Sequence, residues 1–347
     1  MAKKRTTIHD IAKELELTAS TVSRALNDHP KISVDTKNLV RKKAKELNYT
    51  ANTLAASLRT GKAKTIGLIV PRINRFFISN TISGIESVTN KAGYNIIICQ
   101  SEENFHKEEQ NITTMINSRV DGIMMAISFE TESSKHIEKA LKNGIPIVMF
   151  DRIREDVCVS KVLNDNEQAS YIAVNHLIEQ GYRRIVHFAG PQHINIYQER
   201  LAGYKKALID NGIAVDEDLI FENVLDKERG YNMACQLFDN KLNIDAIFSA
   251  SDYSALGALL AAKERQIEVP NEFGIVGFAN EPFTEFVTPS LSSINQFAEQ
   301  MGATVAKTII DEIENNEGDF IPKSISITPQ LIIRESSTRN KIQIAEY

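Results

Sequence analysis

Arg24 is the residue from which a chemistry can first be read. A guanidinium can grip a guanine edge through two parallel hydrogen bonds. Arg24 ends the run Thr18-Ala19-Ser20-Thr21-Val22-Ser23-Arg24, whose other polar members are all small. Small residues let a backbone approach the DNA major groove closely. Thr18, Thr21 and Ser23 can donate to phosphate oxygens, contacts that position without specifying. Ala19 offers only a methyl group and Ser20 a hydroxyl that discriminates little, so direct base readout through this run is sparse.

For these groups to act together they must lie on a helix held by others. Ile8, Ile11, Ala12 and Leu15 fall at i, i+3, i+4 and i+7, one helical face. After Glu16-Leu17-Thr18, too short for a loop between unrelated elements, Val22, Ala25 and Leu26 supply the apolar side of a second helix. Two short helices so close together form a helix-turn-helix. Ser33 is a good N-cap for a third helix reaching Asn48, with Val40, Ala44 and Leu47 inward. The shared core is too small for much independent stability.

Charge supports the nucleic-acid reading. The 347-residue chain has a net charge of −5, but residues 1–64 hold 14 Lys/Arg against 6 Asp/Glu while the remainder holds 26 against 39. A basic end on an acidic body is the pattern expected when one end meets phosphate. With 42% hydrophobic and 24% charged residues, composition excludes a disordered or fibrous chain. No apolar run approaches the roughly 20 residues of a membrane span. Charges interrupt Ile8–Leu15, so no secretory signal is read and a cytoplasmic location is expected. Cys99, Cys158 and Cys235 are far apart, which predicts reduced thiols and neither zinc nor disulfides.

Two strings carry a resemblance: Thr7-Ile-His-Asp-Ile-Ala-Lys-Glu-Leu-Glu-Leu-Thr-Ala-Ser-Thr-Val-Ser-Arg-Ala-Leu-Asn27 and Lys45-Glu-Leu-Asn-Tyr-Thr-Ala-Asn-Thr-Leu-Ala-Ala-Ser-Leu58. Both look like the headpiece of the lactose-repressor/galactose-repressor (LacI/GalR) family, and the similarity runs through almost the whole chain. The resemblance adds Thr7, Asn27 and Tyr49 to the DNA contacts. It also implies a hinge helix from Asn52 to Leu58 that folds only when two copies pair in the minor groove of bound DNA. About seven residues are too few to persist as an isolated helix. Ala55 would permit close helix approach, and Leu58 would be the wedge that unstacks a base step. The bland alternative is an ordinary flexible linker ending in Arg59-Thr60-Gly61-Lys62. Glu16 stands where many members have a small turn residue, which would tighten the turn slightly. Ala51 stands where many have proline, leaving the hinge helix less sharply initiated.

From Thr65 onward apolar strands alternate with amphipathic helices. Strands are expected at Ile66–Val70, Asn95–Cys99, Gly122–Ala126, Pro146–Phe150, Ile185–Ala189, Ala246–Ser249 and Gly274–Gly277. Helices are expected at Ser79–Ala92, Lys107–Asn117, Glu132–Lys142, Glu167–Gln180, Arg200–Asn211 and Asp252–Glu264. This βα repeat predicts two parallel-sheet lobes with a cleft at the carboxyl ends of their strands. The strings Arg119-Val-Asp-Gly-Ile, Arg200-Leu-Ala-Gly-Tyr and Pro289-Ser-Leu-Ser-Ser-Ile-Asn-Gln296 resemble the periplasmic sugar-binding-protein fold of LacI/GalR regulators. The division expected is headpiece 1–50, hinge and linker 51–64, sensor 65–340 and tail 341–347. Within the sensor, 65–163 and 292–325 would form one lobe, 164–291 and 326–340 the other. The resemblance implies that the chain changes lobes near Gln296 and again near Leu331.

Candidate effector contacts follow strand ends: Asn74, Phe76, Phe77, Asp151, Arg200, Ser251, Asp252 and Asn280. Either phenylalanine can stack on a sugar face or simply fill the core. Asp252 can cap a helix or accept ligand hydroxyls, and Arg200 opens a helix within the family's effector motif. Ser251 stands where an Asn is common, and Ala279-Asn280 where many members place an Asp, so Asn280 would serve instead. Arg152 with Arg200 would suit an acidic sugar, or Arg152 would face solvent or pair with Asp156.

An enzyme is not expected, because GxSxG, GxxxxGK[ST] and HExxH are all absent. His136-Ile-Glu138 imitates half of a deaminase motif without its PCxxC, and His187 reads as a hydrogen-bonded core residue. A sugar-binding transport protein shares the sensor fold but would need a secretory signal. The sequence therefore points to a homodimeric repressor without cofactor. It would bind a pseudo-palindromic DNA operator under control of a small polar effector, a sugar or sugar derivative. The end of the chain lacks the leucine heptads of a tetramerising tail, which favours a dimer.

Overall fold

The computed structural model describes residues 6–49, 63–240, 242–315 and 320–339. Two compact units divide the chain, residues 1–63 and 64–347.

The first unit holds helices α1 (Ile8–Glu14), α2 (Ala19–Leu26) and α3 (Val34–Glu46). Each begins at a hydroxyl cap. Thr7 and Asp10 form a reciprocal capping box, Thr18 accepts from the Thr21 amide, and Ser33 accepts from the Thr36 amide. Each ends in a left-handed residue: Glu16 (φ 52°), Asp28 (φ 58°) and Asn48 (φ 49°). The next amide reaches back across the last turn in every case, Leu17 to Ala12, His29 to Arg24 and Tyr49 to Ala44. These are Schellman stops made without glycine. The turn after α1 is thus set by Glu16 in a conformation that favours glycine. Ile11, Ala12, Val22, Ala25, Val40 and Ala44 form the core.

The second unit contains two six-stranded sheets. The first has the order β11-β5-β4-β3-β1-β2, from β1 (Thr65–Val70), β2 (Asn95–Gln100), β3 (Gly122–Met125), β4 (Ile147–Phe150), β5 (Ser160–Asn164) and β11 (Ser324–Ile327). All its pairings are parallel. The second has the order β12-β10-β9-β8-β6-β7, from β6 (Ile185–Phe188), β7 (Ile220–Phe221), β8 (Ala246–Ser249), β9 (Gly274–Phe278), β10 (Ser292–Asn295) and β12 (Gln330–Ile332). It is parallel except for β10 against β12.

In the first lobe, α4 (Phe76–Thr89) and α11 (Ala298–Glu314) cover one face, α5 (Phe105–Asn117) and α6 (Lys135–Lys142) the other. The second lobe uses α7 (Asn166–Glu179) with α8 (Asn195–Asp210), and α9 (Lys227–Asp239) with α10 (Asp252–Glu264). Helices on both faces bury the central strands completely, as parallel sheets require. Gly84 and Gly302 let α4 and α11 touch backbone to backbone: a Cβ on Gly84 would lie 2.1 Å from the Glu299 carbonyl, one on Gly302 1.9 Å from the Thr81 carbonyl.

The chain passes between lobes three times, and these passages are bonded to one another. The Asn164 amide donates to the Gln296 carbonyl at 3.0 Å, and the Asp165 N–H donates to the Ile327 carbonyl at 3.1 Å. The lobe limits differ from the expectation. Ser292–Asn295 pairs with β9 in the second sheet, and Ser326–Ile327 with β5 in the first. The chain therefore enters the first lobe only after Asn295 and leaves it after Ile327. The short strands β10 and β11 belong to the sheets they leave, which a boundary drawn by pattern could not detect.

Candidate DNA-reading helix and interlobe cleft

Helix α2 is short, and Val22 and Ala25 fix its inner face to the small core. Its outer side carries Thr18, Ser20, Arg24 and Asn27, all exposed, with Thr21 and Ser23 half-buried. The Thr18 hydroxyl is already shared with Thr21 at 2.9 Å, and the Asn27 side chain donates to the Ser23 carbonyl at 2.7 Å. Among the described residues the Arg24 guanidinium has no partner, so its five donors are free for an acceptor in solution. Ala19 packs partly on the core, which fixes how closely this end of the helix can approach a surface.

Thr7 is committed to its capping box, where its hydroxyl donates to Asp10 at 2.7 Å. Tyr49 packs against the headpiece core. Asn52, Ala55 and Leu58, with the hinge they belong to, and the tail 341–347 lie outside the described residues.

The second site is a cleft of about 680 Å³ in the sensor, opening where the strands of both sheets end. At its centre lie Asp151 and Arg200. Asp151 follows β4 directly and holds φ at 58°, a left-handed conformation that turns the chain at the cleft wall. Its carboxyl is buried and accepts no hydrogen bond among the described residues. Burial raises its pKa above the ordinary carboxylate value, against the pull of Arg152 and Arg200.

Arg200 is 5% exposed. Its Nε donates to Asn166 at 3.0 Å and one terminal nitrogen to the Ala250 carbonyl at 2.9 Å. The guanidinium carbon lies over the Phe278 ring, 3.6 Å from its centre. Burial lowers its pKa, opposed by Tyr197 and Asp151. Two buried charged groups thus face one cavity with hydrogen-bonding capacity unspent. Buried polar groups ordinarily find partners, and a ligand rich in hydroxyls would supply them.

Of the remaining expected effector residues, Ser251 lines the cleft and also caps α10 by accepting from the Tyr253 amide at 3.3 Å. Phe77 belongs to the first-lobe core and shows only an edge to the cleft. Four do not line it. Asn74 is exposed on the turn before α4, and Phe76 is 40% exposed outside the cavity. Asp252 neither caps its helix nor lines the cleft. It is buried in the second lobe, accepting from the Glu281 amide at 2.8 Å and the Ser293 hydroxyl at 2.6 Å. Burial pushes its pKa up to about 7. Asn280 accepts from Arg334 at 2.9 Å, away from the cavity. Strand-end position placed these four near the cleft, but each side chain's direction is set by packing invisible in the sequence.

Arg200 also sits in the second turn of α8, which starts at Asn195, rather than opening the helix. Arg152 pairs with Glu103 through bonds of 3.0 and 2.9 Å and stacks over Phe129, while Asp156 pairs with Arg154. Arg152 thus spends one terminal nitrogen on Glu103, while it lines the cleft and its Nε has no partner among the described residues.

The sequence reading missed Arg75, Glu103, Phe129, His193, Tyr197, Tyr253 and Glu281, all on the cleft wall. Tyr197 lies one helical turn before Arg200 and was the one detectable by spacing. His187, by contrast, sits in the core as expected. It is stacked between Tyr204 and Phe248, each 5.0 Å away, and bonded to the Phe248 carbonyl at 3.0 Å. His136 bonds to the buried Glu108 at 2.8 Å, which also accepts from Ser128 and Thr131. Among the described residues no helix is long and apolar enough to cross a membrane.

Comparison with known proteins matches residues 7–52 to the bacterial regulatory proteins of the lacI family and residues 174–337 to a periplasmic binding protein-like domain. Catabolite control protein A of Priestia megaterium is 32% identical over 335 residues, covering 96% of this chain and 99% of its own length. The transcriptional repressor PurR of Proteus mirabilis is 30% identical over 334 residues, 95% of this chain and 96% of its own. Among solved structures, a CelR–cellobiose complex aligns with TM-score 0.73 and 27% identity over 96% of this chain and all of its own. The lac repressor dimer bound to operator and an anti-inducer aligns with TM-score 0.86 at 21% identity, over 96% of this chain and 99% of its own, a likeness of fold. A headpiece matched in its own right sets this chain apart from transport-associated binding proteins, and relatives that regulate transcription set it apart from enzymes.

Proposed function

We propose that this chain, which belongs to the lacI family of bacterial regulatory proteins, is a dimeric operator-binding repressor controlled by a sugar or sugar derivative bound between its sensor lobes. The observation that carries the effector reading is the Asp151–Arg200 pair: both buried, both on one cleft, neither fully satisfied by protein. A polyol between a carboxylate that accepts and a guanidinium that donates satisfies both at once. Aromatic rings at Phe129, Tyr197 and Phe278 supply apolar walls. Similar solved structures, one a complex with cellobiose and another with bound ribose, support a carbohydrate.

Arg24 would read base edges while Thr18, Thr21 and Ser23 hold phosphate, and paired hinges would insert Leu58 at the operator centre. The cytoplasm is the compartment where such a protein meets DNA. Effector binding would shift the relation of the lobes and, by linkage, operator and effector would change each other's affinity by the same factor.

The test is a thermal-shift screen of the full chain against neutral sugars, uronic acids and sugar phosphates. A ligand at 100 times its Kd should add about 2.7 kcal/mol to stability. A hit that also changes operator affinity, and that fails with Asp151→Asn and Arg200→Lys, supports the reading. Hits unaffected by both substitutions would place the effector elsewhere.

A further inference from the structure

Two sets of contacts tie the lobes together across the cleft, and they differ in kind. On one side the links are hydrogen bonds and apolar packing. The Asn195 side chain accepts from the Ile153 amide and donates to the Asp151 carbonyl, both at 3.1 Å, and His193 bonds to the Phe129 carbonyl at 2.7 Å. Ile194, Ile196 and Tyr197 of the second lobe pack into the apolar cluster of the first.

On the other side the link is a cation over an aromatic ring. Arg75, which precedes α4 in the first lobe, lies 4.7 Å from the ring centre of Tyr253 in the second. The Tyr253 hydroxyl reaches Glu281 at 3.4 Å. Glu281 is 6% exposed, although it belongs to a surface turn. The Arg75 guanidinium and the Phe76 amide at the start of α4 both favour its ionised form. That helix has no side-chain cap of its own. A carboxylate from the second lobe therefore meets both the positive end of a first-lobe helix and the cation beside it, each favourable to negative charge.

We propose that Arg75, Tyr253 and Glu281 form a trans-lobe latch that holds the sensor at its observed lobe spacing, and that neutralising Glu281 releases it. Only its consequence for operator binding rests on the effector reading above.

The surrounding groups make the latch sensitive to pH. Burial lifts the Glu281 carboxyl above its ordinary range, while Arg75, Tyr253 and the Phe76 amide pull it down. Asp252 on α10 accepts from Glu281's own amide. Beyond it stands Arg334, held by Asn280 and Glu285. Asp252 takes up its proton near pH 7, which removes a neighbouring negative charge. Further acidification neutralises Glu281 and removes its attraction for Arg75. The links through Asn195 hold no titratable group, so acid should loosen the latch side.

The test is a distance measurement on the full chain with Cys99, Cys158 and Cys235 replaced by serine. Spin labels are placed at His106→Cys in the first lobe and Glu222→Cys in the second, and read by pulsed electron resonance without DNA or sugar. At pH 7.5 the unsubstituted latch should give one narrow distance, with Arg75→Ala and Glu281→Gln each giving a longer, broader distribution. The double variant should go no further than either single one. Lowering the pH to 5.0 should broaden the unsubstituted protein and leave Glu281→Gln unchanged. Circular dichroism confirms folding, and Tyr253→Phe, which removes one hydroxyl, should give an intermediate response. Identical distributions for Glu281→Gln and the unsubstituted protein at pH 7.5 would overturn the latch, as would additive effects in the double variant. Because no ligand is present, a latch response stands even if no sugar alters operator binding.

Discussion

The headpiece and the sensor reach definite structures by different balances of force. The headpiece core contains three branched residues, Ile11, Val22 and Val40, and three alanines. Its three helices compensate locally, each with a hydroxyl cap at one end and a left-handed stop at the other. In the sensor, α4, α6, α8 and α11 have no side-chain N-cap. Large apolar clusters on both faces of each sheet hold them instead. A small domain depends on every local term, while a large core tolerates their absence.

Core truncation should break this comparison open most forcefully. Ile11→Ala and Ile123→Ala remove similar side chains, both fully buried. Each should cost about 2–5 kcal/mol. In the headpiece that approaches the whole stability of a domain so small, so operator binding should vanish while the sensor's calorimetric transition stays put. In the sensor the same loss should lower one transition and leave the headpiece folded. If both substitutions shift a single common transition equally, the two units do not unfold separately and the comparison fails.

A charge buried in the sensor gives the next effect, because only a large core can hold a carboxyl so far from water. Asp252 titrates near 7 in the folded chain against an ordinary 3.8. Between those values the unfolded chain is ionised while the folded one keeps its proton. The associated stability is full below about pH 4 and lost as pH rises to 7, at about 1.4 kcal/mol per unit at most. His187 has the opposite sign. Burial lowers its pKa to about 4, so stability is lost as pH falls from 6.5 toward 4. Asp252→Asn should therefore flatten the fall in sensor melting temperature between pH 5 and 8 and leave the His187 slope at lower pH. A parallel pH dependence in both proteins would show that Asp252 is ionised throughout.

Arg24→Ala asks whether the headpiece surface can lose chemistry without losing structure. Arg24 is exposed and has no protein partner among the described residues, so melting should not move. Operator affinity should fall by about 1–3 kcal/mol, with specificity relaxed at one base position. A uniform loss across all sequences would make it a phosphate contact.

The same contrast explains what was legible in the sequence. The start of α10, capped by Ser251, falls at Asp252 as expected, and that of α7, capped by Asp165, lies one residue from its expected place. The uncapped helices are misplaced further: α4 begins at Phe76 instead of Ser79, α6 at Lys135 instead of Glu132, and α8 at Asn195 instead of Arg200. A helix held by tertiary contact leaves no local mark at its start. The α4 boundary is the clearest case, since the carboxylate facing it, Glu281, lies in the other lobe. Asp151 and Arg200 could be found because strand order and a familiar string place them. Asp252 and Asn280 looked equivalent, and only packing turned them away from the cleft. The strands β5, β7, β10, β11 and β12 and the helices α9 and α11 escaped, the strands because several are only two to four residues long.

The finest test lies at Glu16, where the headpiece accepts a local cost. Its φ of 52° ends α1 in the region that an L side chain enters only against steric resistance, yet its amide and that of Leu17 close the turn on Lys13 and Ala12. Glycine at this position would keep both hydrogen bonds and remove the clash between Cβ and backbone, while adding some unfolded-state entropy. The first effect should win, so Glu16→Gly should stabilise the headpiece by about 1 kcal/mol. Calorimetry would show the headpiece transition rising alone. The turn fixes where α2 begins, so operator affinity should be unchanged if the geometry is already ideal and should rise if Glu16 strains it. A fall in headpiece stability would mean that the chain's freedom when unfolded outweighs the strain. Local terms would then count for less in this small domain than its caps and stops suggest.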